Sequence, residues 1–96
     1  MQFDADNIPV RRPAMIEAGL WPDRTINDSL DAAVAAHPDR TALTAVRLHG
    51  DTVTMTYREL AEAADRTALG LHHLGIRAGD VVAVQLPNWW EFTVTY

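Results

Sequence analysis

The segment from Thr56 to Tyr96 constrains the fold of this chain most, because its pattern predicts a helix, then a strand, then a second helix. The strand, Val81–Leu86, is apolar on both faces and is interrupted only by Gln85. Such a strand belongs in the middle of a parallel sheet that helices cover on both sides. The 96 residues contain too few other strands to build that sheet. The sequence therefore predicts an α/β fold that is incomplete within this chain.

Helix starts and stops are marked by residues with a clear physical role. Thr25 can accept a hydrogen bond from the backbone N–H of Asp28, which opens a helix that Pro38 ends. Thr56 and Glu59 form a capping box for the next helix. That helix presents a shallow apolar stripe, and Gly75 follows it in the position where a left-handed residue closes a helix. The stripe comprises Leu60, Ala61, Ala64, Ala68, Leu71 and Leu74.

Two strands with alternating polar and apolar residues are predicted at Thr41–Leu48 and Thr52–Thr56. Gly50 lies in their short connection, where a residue with positive φ is common, so the pair reads as an antiparallel hairpin with one buried face. A short helix is predicted at Pro13–Ala18, with proline at its first position. Asn88 and Glu91 predict the start of the last helix.

Composition excludes several classes of function. The net charge is −5, and all eight cations are arginines, scattered along the chain, which argues against nucleic acid as a partner. Without lysine there is no Walker-type phosphate loop and no Schiff-base lysine. The chain has no cysteine, so disulfides and thiolate metal sites are excluded, and no apolar run is long enough to span a membrane. With no secretory signal, we expect a cytoplasmic location.

Several side chains that could do chemistry have a simpler structural interpretation. His72 and His73 are adjacent on a helix and point about 100° apart, so one metal ion cannot readily use both. Asp80 could bind Mg²⁺, but a carboxylate that stabilises a turn is the favoured interpretation. Asn88 could touch a substrate, yet it suffices as a helix cap. His37 and His49 have no partners at the spacing of metal ligands.

The aromatic pair and the single serine are weighed in the same way. Trp89 and Trp90 could line an acyl pocket, but two aromatics on a helix with apolar residues all round are usually core. Ser29 lacks the G-x-S-x-G context of a hydrolase nucleophile. We therefore assign no catalytic, cofactor-binding or metal-binding residue within this chain.

Three stretches of the sequence, in this order, resemble the N-terminal region of the acyl-CoA synthetases. They read TINDSLDAAVAAHPDRTAL, TYREL and LGIRAGDVVAVQLPNWWEF. These enzymes belong to the adenylate-forming superfamily, with luciferases and peptide-synthetase adenylation domains. The resemblance extends from Trp21 to Tyr96. It implies an N-terminal arm at residues 1–20 and, at residues 21–96, an incomplete N-terminal part of the large AMP-binding domain, with a β-hairpin and one αβα unit.

The resemblance implies that the full-length enzyme uses ATP, Mg²⁺ and coenzyme A to convert a carboxylic acid into an acyl-adenylate and then a thioester. The phosphate loop and its lysine would lie beyond Tyr96, so this chain alone is expected to be inactive and to bind none of these cofactors. Its partner would be the remainder of the enzyme. Whether the full-length enzyme forms a homo-oligomer stays open. The doubled tryptophan resembles ligases of cyclohexanecarboxylate or medium-chain acids, which suggests fatty-acid metabolism. Two alternatives remain: an adenylation domain that loads a carrier protein, and a non-catalytic binding module of the same ancestry.

Overall fold

The computed structural model describes residues 8–96, with side chains described from residue 11 onwards. Over these residues run helices α1 (Ile8–Glu17) and α2 (Ile26–Ala36), strands β1 (Thr41–Val46) and β2 (Thr52–Thr56), and helices α3 (Tyr57–His73) and α4 (Trp90–Thr95). The described residues thus form a small α/β arrangement with a hairpin and helices, as the sequence predicts.

The predicted capping box of Thr56 and Glu59 is present, and the predicted Thr25 cap of α2 is part of a second capping box. The Thr25 hydroxyl accepts from the backbone N–H of Asp28 at 3.2 Å, and the Asp28 carboxylate accepts from the Thr25 backbone N–H at 2.6 Å. At the start of α3, Glu59 and Thr56 make the same reciprocal pair at 3.2 and 2.8 Å. Each box satisfies two backbone groups that a helix start leaves without an intrahelical partner.

The hairpin is antiparallel, as predicted, with the alternating register that buries one face. Leu43 pairs with Met55 and Ala45 pairs with Val53, and these four side chains are partly buried. The intervening pair of Thr44 and Thr54 is exposed. β1 ends at Val46, two residues before the predicted end at Leu48.

Gly50 lies in the hairpin connection, but it does not have the positive φ angle that was predicted there. Within residues 8–96, positive φ occurs only at Gly19, Gly75 and Gly79. A Cβ added at Gly50 would lie 3.3 Å from the Cβ of Arg47. The connection therefore uses glycine for the close approach of a neighbouring side chain rather than for its φ angle.

Helix α3 lies at the centre of the fold and packs against α2, α4 and both strands. Its most buried residue is Ala63, 5% exposed, which the predicted stripe does not include. Leu74, by contrast, is 81% exposed and Ala68 is exposed as well. The contact face is therefore rotated from the prediction, because the hairpin and two helices approach α3 from more than one side.

The connection after α3 follows the predicted turn chemistry. Gly75 has φ +95° and Gly79 has φ +92°, angles that side chains with a Cβ rarely adopt. The Asp80 carboxylate accepts a hydrogen bond from the backbone N–H of Arg77 at 2.7 Å. Asp80 thus has the turn-stabilising role that was favoured over Mg²⁺ binding.

The predicted core strand is not formed. Val81–Leu86 has no regular secondary structure, and Val81, Val82, Val84 and Leu86 are 57, 41, 39 and 41% exposed. A strand is defined by hydrogen bonds to a neighbouring strand. The described residues provide no such neighbour, since their one sheet contains β1 and β2 alone.

Two helix starts also differ from the predictions. α1 runs from Ile8 to Glu17 and contains Pro13 in its interior, so Pro13 is not the first residue of the helix. Proline has no backbone N–H, so α1 lacks one intrahelical hydrogen bond at this position. α4 begins at Trp90, with Trp89 as its cap and no side-chain capping bond, so Asn88 is not the cap. The short helix is held by contacts with α3 and β1 instead.

The chain exposes more surface than a compact protein of its mass. Its accessible surface is 8038 Å², against about 5,500 Å² expected for 10.6 kDa. Its radius of gyration is 16.4 Å, against about 12.5 Å for a compact domain of this length. Among the residues whose burial is described, only Ala63 and Val94 are buried, and they are still 5 and 9% exposed. The structure therefore has the uncovered apolar surface that the sequence predicts.

Candidate functional site

Arg47 joins the hairpin to α4 through two contacts. Its guanidinium lies 2.5 Å from the Glu91 carboxylate and 4.6 Å from the centre of the Trp89 ring. The side chains of Arg47 and Glu91 are 39 and 33% exposed, so solvent screens the ion pair only in part. The second carboxylate oxygen, Oε2, is buried and has no hydrogen-bond partner within the described part of the chain. This cluster holds two elements together, and its carboxylate is already engaged by a cation.

An apolar groove of about 340 Å³ lies between α2, α3 and α4. No charged side chain occurs among the described residues that line it. They are Ile26, Asn27, Leu30, Leu60, Ala64, Asn88, Phe92, Thr93, Val94 and Tyr96. Nucleotide phosphates require cations, helix N-termini or glycine-rich loops. The described lining of the groove has no cation and no glycine-rich loop, so its chemistry is that of an apolar packing surface.

The adjacent tryptophans Trp89 and Trp90 occupy different environments, and neither lines the apolar groove. Trp89 is 39% exposed beneath the Arg47 guanidinium, so its prediction as core is wrong. Trp90 is partly buried beside Arg47 and His49 at the hairpin connection. The structure does not bring the two indoles together into one acyl pocket.

The histidines form no group of three potential metal ligands with each other or with acids anywhere in residues 8–96. The rings of His72 and His73 have centroids 6.4 Å apart. The Arg77 guanidinium lies 3.4 Å from Nδ1 of His72, where a second cation would be repelled. Ser29 is exposed on α2. The assignment of no catalytic or metal-binding residue stays a prediction.

Sequence analysis missed the Arg47–Glu91 pair, and no local signal could have found it. The two residues are 44 positions apart. Glu91 was interpreted only as part of a helix start, and Arg47 fell inside the predicted strand. Their contact depends on how the end of β1 and the start of α4 are packed together, which is a tertiary property.

The carboxyl of Asp28 is the group whose titration the fold changes most clearly. The hydrogen bond from the Thr25 backbone N–H, followed by that from the Thr25 hydroxyl, lowers the pKa of Asp28. Both bonds stabilise the charged form of the carboxyl in the folded chain. The stabilisation is present above the unfolded pKa and is lost as the pH falls through the lower folded value.

We expect the Asp28→Asn variant to lose part of the acid sensitivity of folding. Its deficit in the urea unfolding midpoint, relative to the natural chain, should shrink as the pH falls from about 6 to below about 4. Asp31→Asn is the matched control, because Asp31 is exposed on the same helix outside the capping box. A deficit for Asp28→Asn that is equally large at both pH values would contradict the assigned role.

No helix within residues 8–96 combines the length and apolarity that crossing a membrane requires. The described residues thus form a small α/β arrangement of a hairpin and helices, with an uncovered apolar stretch at Val81–Leu86.

The chain belongs to the AMP-binding enzyme family, whose profile matches residues 30–96. It is 42% identical over 77 residues to the salicyl-AMP ligase / salicyl-S-ArCP synthetase of Mycobacterium tuberculosis, covering 80% of this chain and 14% of that protein. It is 41% identical over 86 residues to the medium-chain fatty-acid–CoA ligase of Escherichia coli, covering 90% of this chain and 14% of that protein.

A third relative is the 2,3-dihydroxybenzoate-AMP ligase of Bacillus subtilis, 43% identical over 74 residues, or 77% of this chain and 13% of that protein. The chain thus spans about one seventh of the length of these curated relatives. No solved structure matches it at a significant level. The resemblance to adenylate-forming enzymes is confirmed, and the chain corresponds to one segment of such an enzyme.

Proposed function

We propose that this chain is the N-terminal structural portion of an ATP-dependent acid–CoA ligase, which activates a carboxylic acid as acyl-adenylate and transfers it to coenzyme A. The observation that carries the proposal is the family match over residues 30–96. The similarity to a medium-chain fatty-acid–CoA ligase over 90% of the chain supports the choice of acid and acceptor. The doubled tryptophan at Trp89–Trp90 suits the same group.

The geometry supports a structural rather than a chemical contribution. α3 is capped at both ends and packs on the hairpin. After the turn that follows α3, Val81–Leu86 has no regular secondary structure and its apolar side chains are uncovered. A strand from elsewhere in the enzyme would complete the sheet there. ATP, Mg²⁺ and coenzyme A would be held by other segments, because the groove between α2, α3 and α4 has no charged lining. We place the domain boundary near residue 20 and the enzyme in the cytoplasm.

A carrier protein is the second candidate acceptor. The relative named salicyl-AMP ligase / salicyl-S-ArCP synthetase is 42% identical to this chain, which favours an aryl acid and an acyl-carrier partner. The two functions share the adenylation step and differ in the thiol that takes the acyl group. A gene product extending beyond Tyr96, assayed with coenzyme A and with a carrier protein side by side, separates them.

A segment exchange tests the proposal. The matching segment of the Escherichia coli medium-chain fatty-acid–CoA ligase is replaced by residues 8–96, and acid-dependent ATP–pyrophosphate exchange is measured. We expect the chimera to be active and the isolated 96-residue chain to be inactive, because the chain supplies packing surface and no phosphate-binding group. Val84→Asp in the chimera should abolish activity, since a carboxylate would enter the completed sheet.

The control for that variant is His49→Asp, a substitution at an exposed position in the hairpin connection, which should leave the exchange rate of the chimera intact. A soluble, folded chimera without activity would contradict the structural role. Exchange catalysed by the isolated chain would show that the chemistry lies within these residues.

A further inference from the structure

The guanidinium of Arg47 is attracted from two sides by residues at the start of α4. The Glu91 carboxylate lies 2.5 Å from it, and the centre of the Trp89 ring lies 4.6 Å from its carbon. A carboxylate and the face of an indole both attract a cation at such distances. Because Trp89 and Glu91 flank Trp90 in the chain, the two contacts together restrain both the position and the rotation of this short stretch on the hairpin.

The same contacts separate the environments of the two adjacent indoles. Trp89 offers its ring face to the cation, whereas Trp90 is partly buried in a recess that it shares with Val53 at the hairpin connection. The doubled tryptophan is thus divided between two tasks. One indole holds a charge, and the other packs on the hairpin.

The two charges of the pair depend on each other unequally. Without Glu91, the Arg47 guanidinium would keep the face of Trp89 and its contact with solvent, since its side chain is 39% exposed. Glu91 makes no second ion pair within residues 11–96, and its Oε2 atom is buried. A partly buried charge that loses its partner destabilises a protein more than the loss of both charges does. Removing Arg47 alone is therefore the more damaging change.

We propose that Arg47, Trp89 and Glu91 form a latch, in which the charge of Arg47 holds the start of α4 on the hairpin in one orientation. Loss of the guanidinium releases that orientation and exposes Trp90, while α2, α3 and the hairpin keep their fold. The latch is a conformational device of the chain itself, and it is the same for either thiol acceptor of the proposed enzyme.

Fluorine NMR of the chain labelled with 5-fluorotryptophan tests the latch, because it reports on each indole separately. The three signals are assigned with Trp→Phe variants at positions 21, 89 and 90. Arg47→Met removes the charge and keeps a long unbranched side chain. We expect it to move the signals of Trp89 and Trp90 towards their positions in the urea-unfolded chain and to leave the signal of Trp21 in place.

A double-mutant cycle with urea denaturation tests the unequal dependence of the two charges. Adding Glu91→Met to Arg47→Met should move both signals back towards the natural positions, because the unpaired carboxylate is removed. The unfolding equilibrium constant of the double variant should be at least about threefold below that of Arg47→Met alone, a coupling within the range of residues in contact. Arg47→Lys, which keeps the charge, should disturb the two indoles less than Arg47→Met.

Arg58→Met is the matched control, since it breaks the ion pair of Arg58 with Asp39, whose side chains are 54 and 84% exposed. It should leave the signals of Trp89 and Trp90 unchanged. The proposal is overturned if Arg47→Met moves neither indole, if Arg47→Lys disturbs them as much as Arg47→Met, or if the double variant is less stable than Arg47→Met. Should Arg47→Met alone fail to fold, the double variant must still fold, and its failure to do so overturns the proposal as well.

Discussion

Replacing Ala63 with Asp is expected to unfold the chain at room temperature. Ala63 is 5% exposed on α3, the helix that packs against the hairpin, α2 and α4. An unpaired carboxylate at such a position costs at least about 3 kcal/mol. Small domains have marginal stability, and this one buries little surface, so a loss of that size removes most of the folded population.

Far-UV circular dichroism and urea denaturation at low protein concentration measure the effect. The matched control is Ala68→Asp, the same substitution at an exposed position five residues further along α3. We expect it to keep the helix signal and to lower the free energy of unfolding by no more than about 0.5–1 kcal/mol, from helix propensity alone. Equal losses for the two variants would mean that Ala63 is not at the packing centre of the fold.

Alanine substitutions at Gly75 and Gly70 are expected to change stability in opposite directions. Gly75 has φ +95°, where a Cβ is strained, so Gly75→Ala should lower the free energy of unfolding by about 1–2 kcal/mol. Gly70 lies inside α3 with ordinary backbone angles, and Gly70→Ala should raise it by about 0.5–1 kcal/mol. An added Cβ meets no atom within 4 Å at either site. The difference in stability between the two variants therefore comes from the backbone conformation and not from steric clashes.

Urea denaturation of the two variants beside the natural chain measures both shifts. Gly75→Asn adds an internal check, because asparagine tolerates left-handed angles better than alanine and should lose less stability. If Gly75→Ala were as stable as Gly70→Ala, the left-handed closure of α3 would have no energetic role.

Local chemistry was largely predictable from the sequence. Four local predictions were confirmed, because each depends on residues within a few positions of one another. They are the Thr25 cap, the capping box of Thr56 and Glu59, the hairpin pairing and the turn role of Asp80. The predicted start of α4 was wrong: Asn88 and Glu91 have the spacing of a cap, but the helix begins at Trp90 with Trp89 as its cap and no side-chain capping bond.

The candidate site was less predictable, since its contacts connect distant parts of the chain. Arg47 reaches Glu91 and Trp89 across more than forty residues, and no local pattern anticipates either contact. The face of α3 that is buried, centred on Ala63, likewise depends on which elements approach it. Periodicity predicted that α3 has an apolar face, but which side of the helix is buried depends on the positions of α2, α4 and the hairpin.

The amino-acid sequence by itself determined the caps of α2 and α3, the alternation that makes the hairpin, the left-handed Gly75 and the family to which the chain belongs, since all of these follow from residue types and their order along the chain. Tertiary structure alone decided the Arg47 bridge, the rotation of α3 and the state of Val81–Leu86. That segment has the composition of a buried strand, yet a strand forms only where a second backbone supplies its hydrogen bonds, and none of the described residues does so.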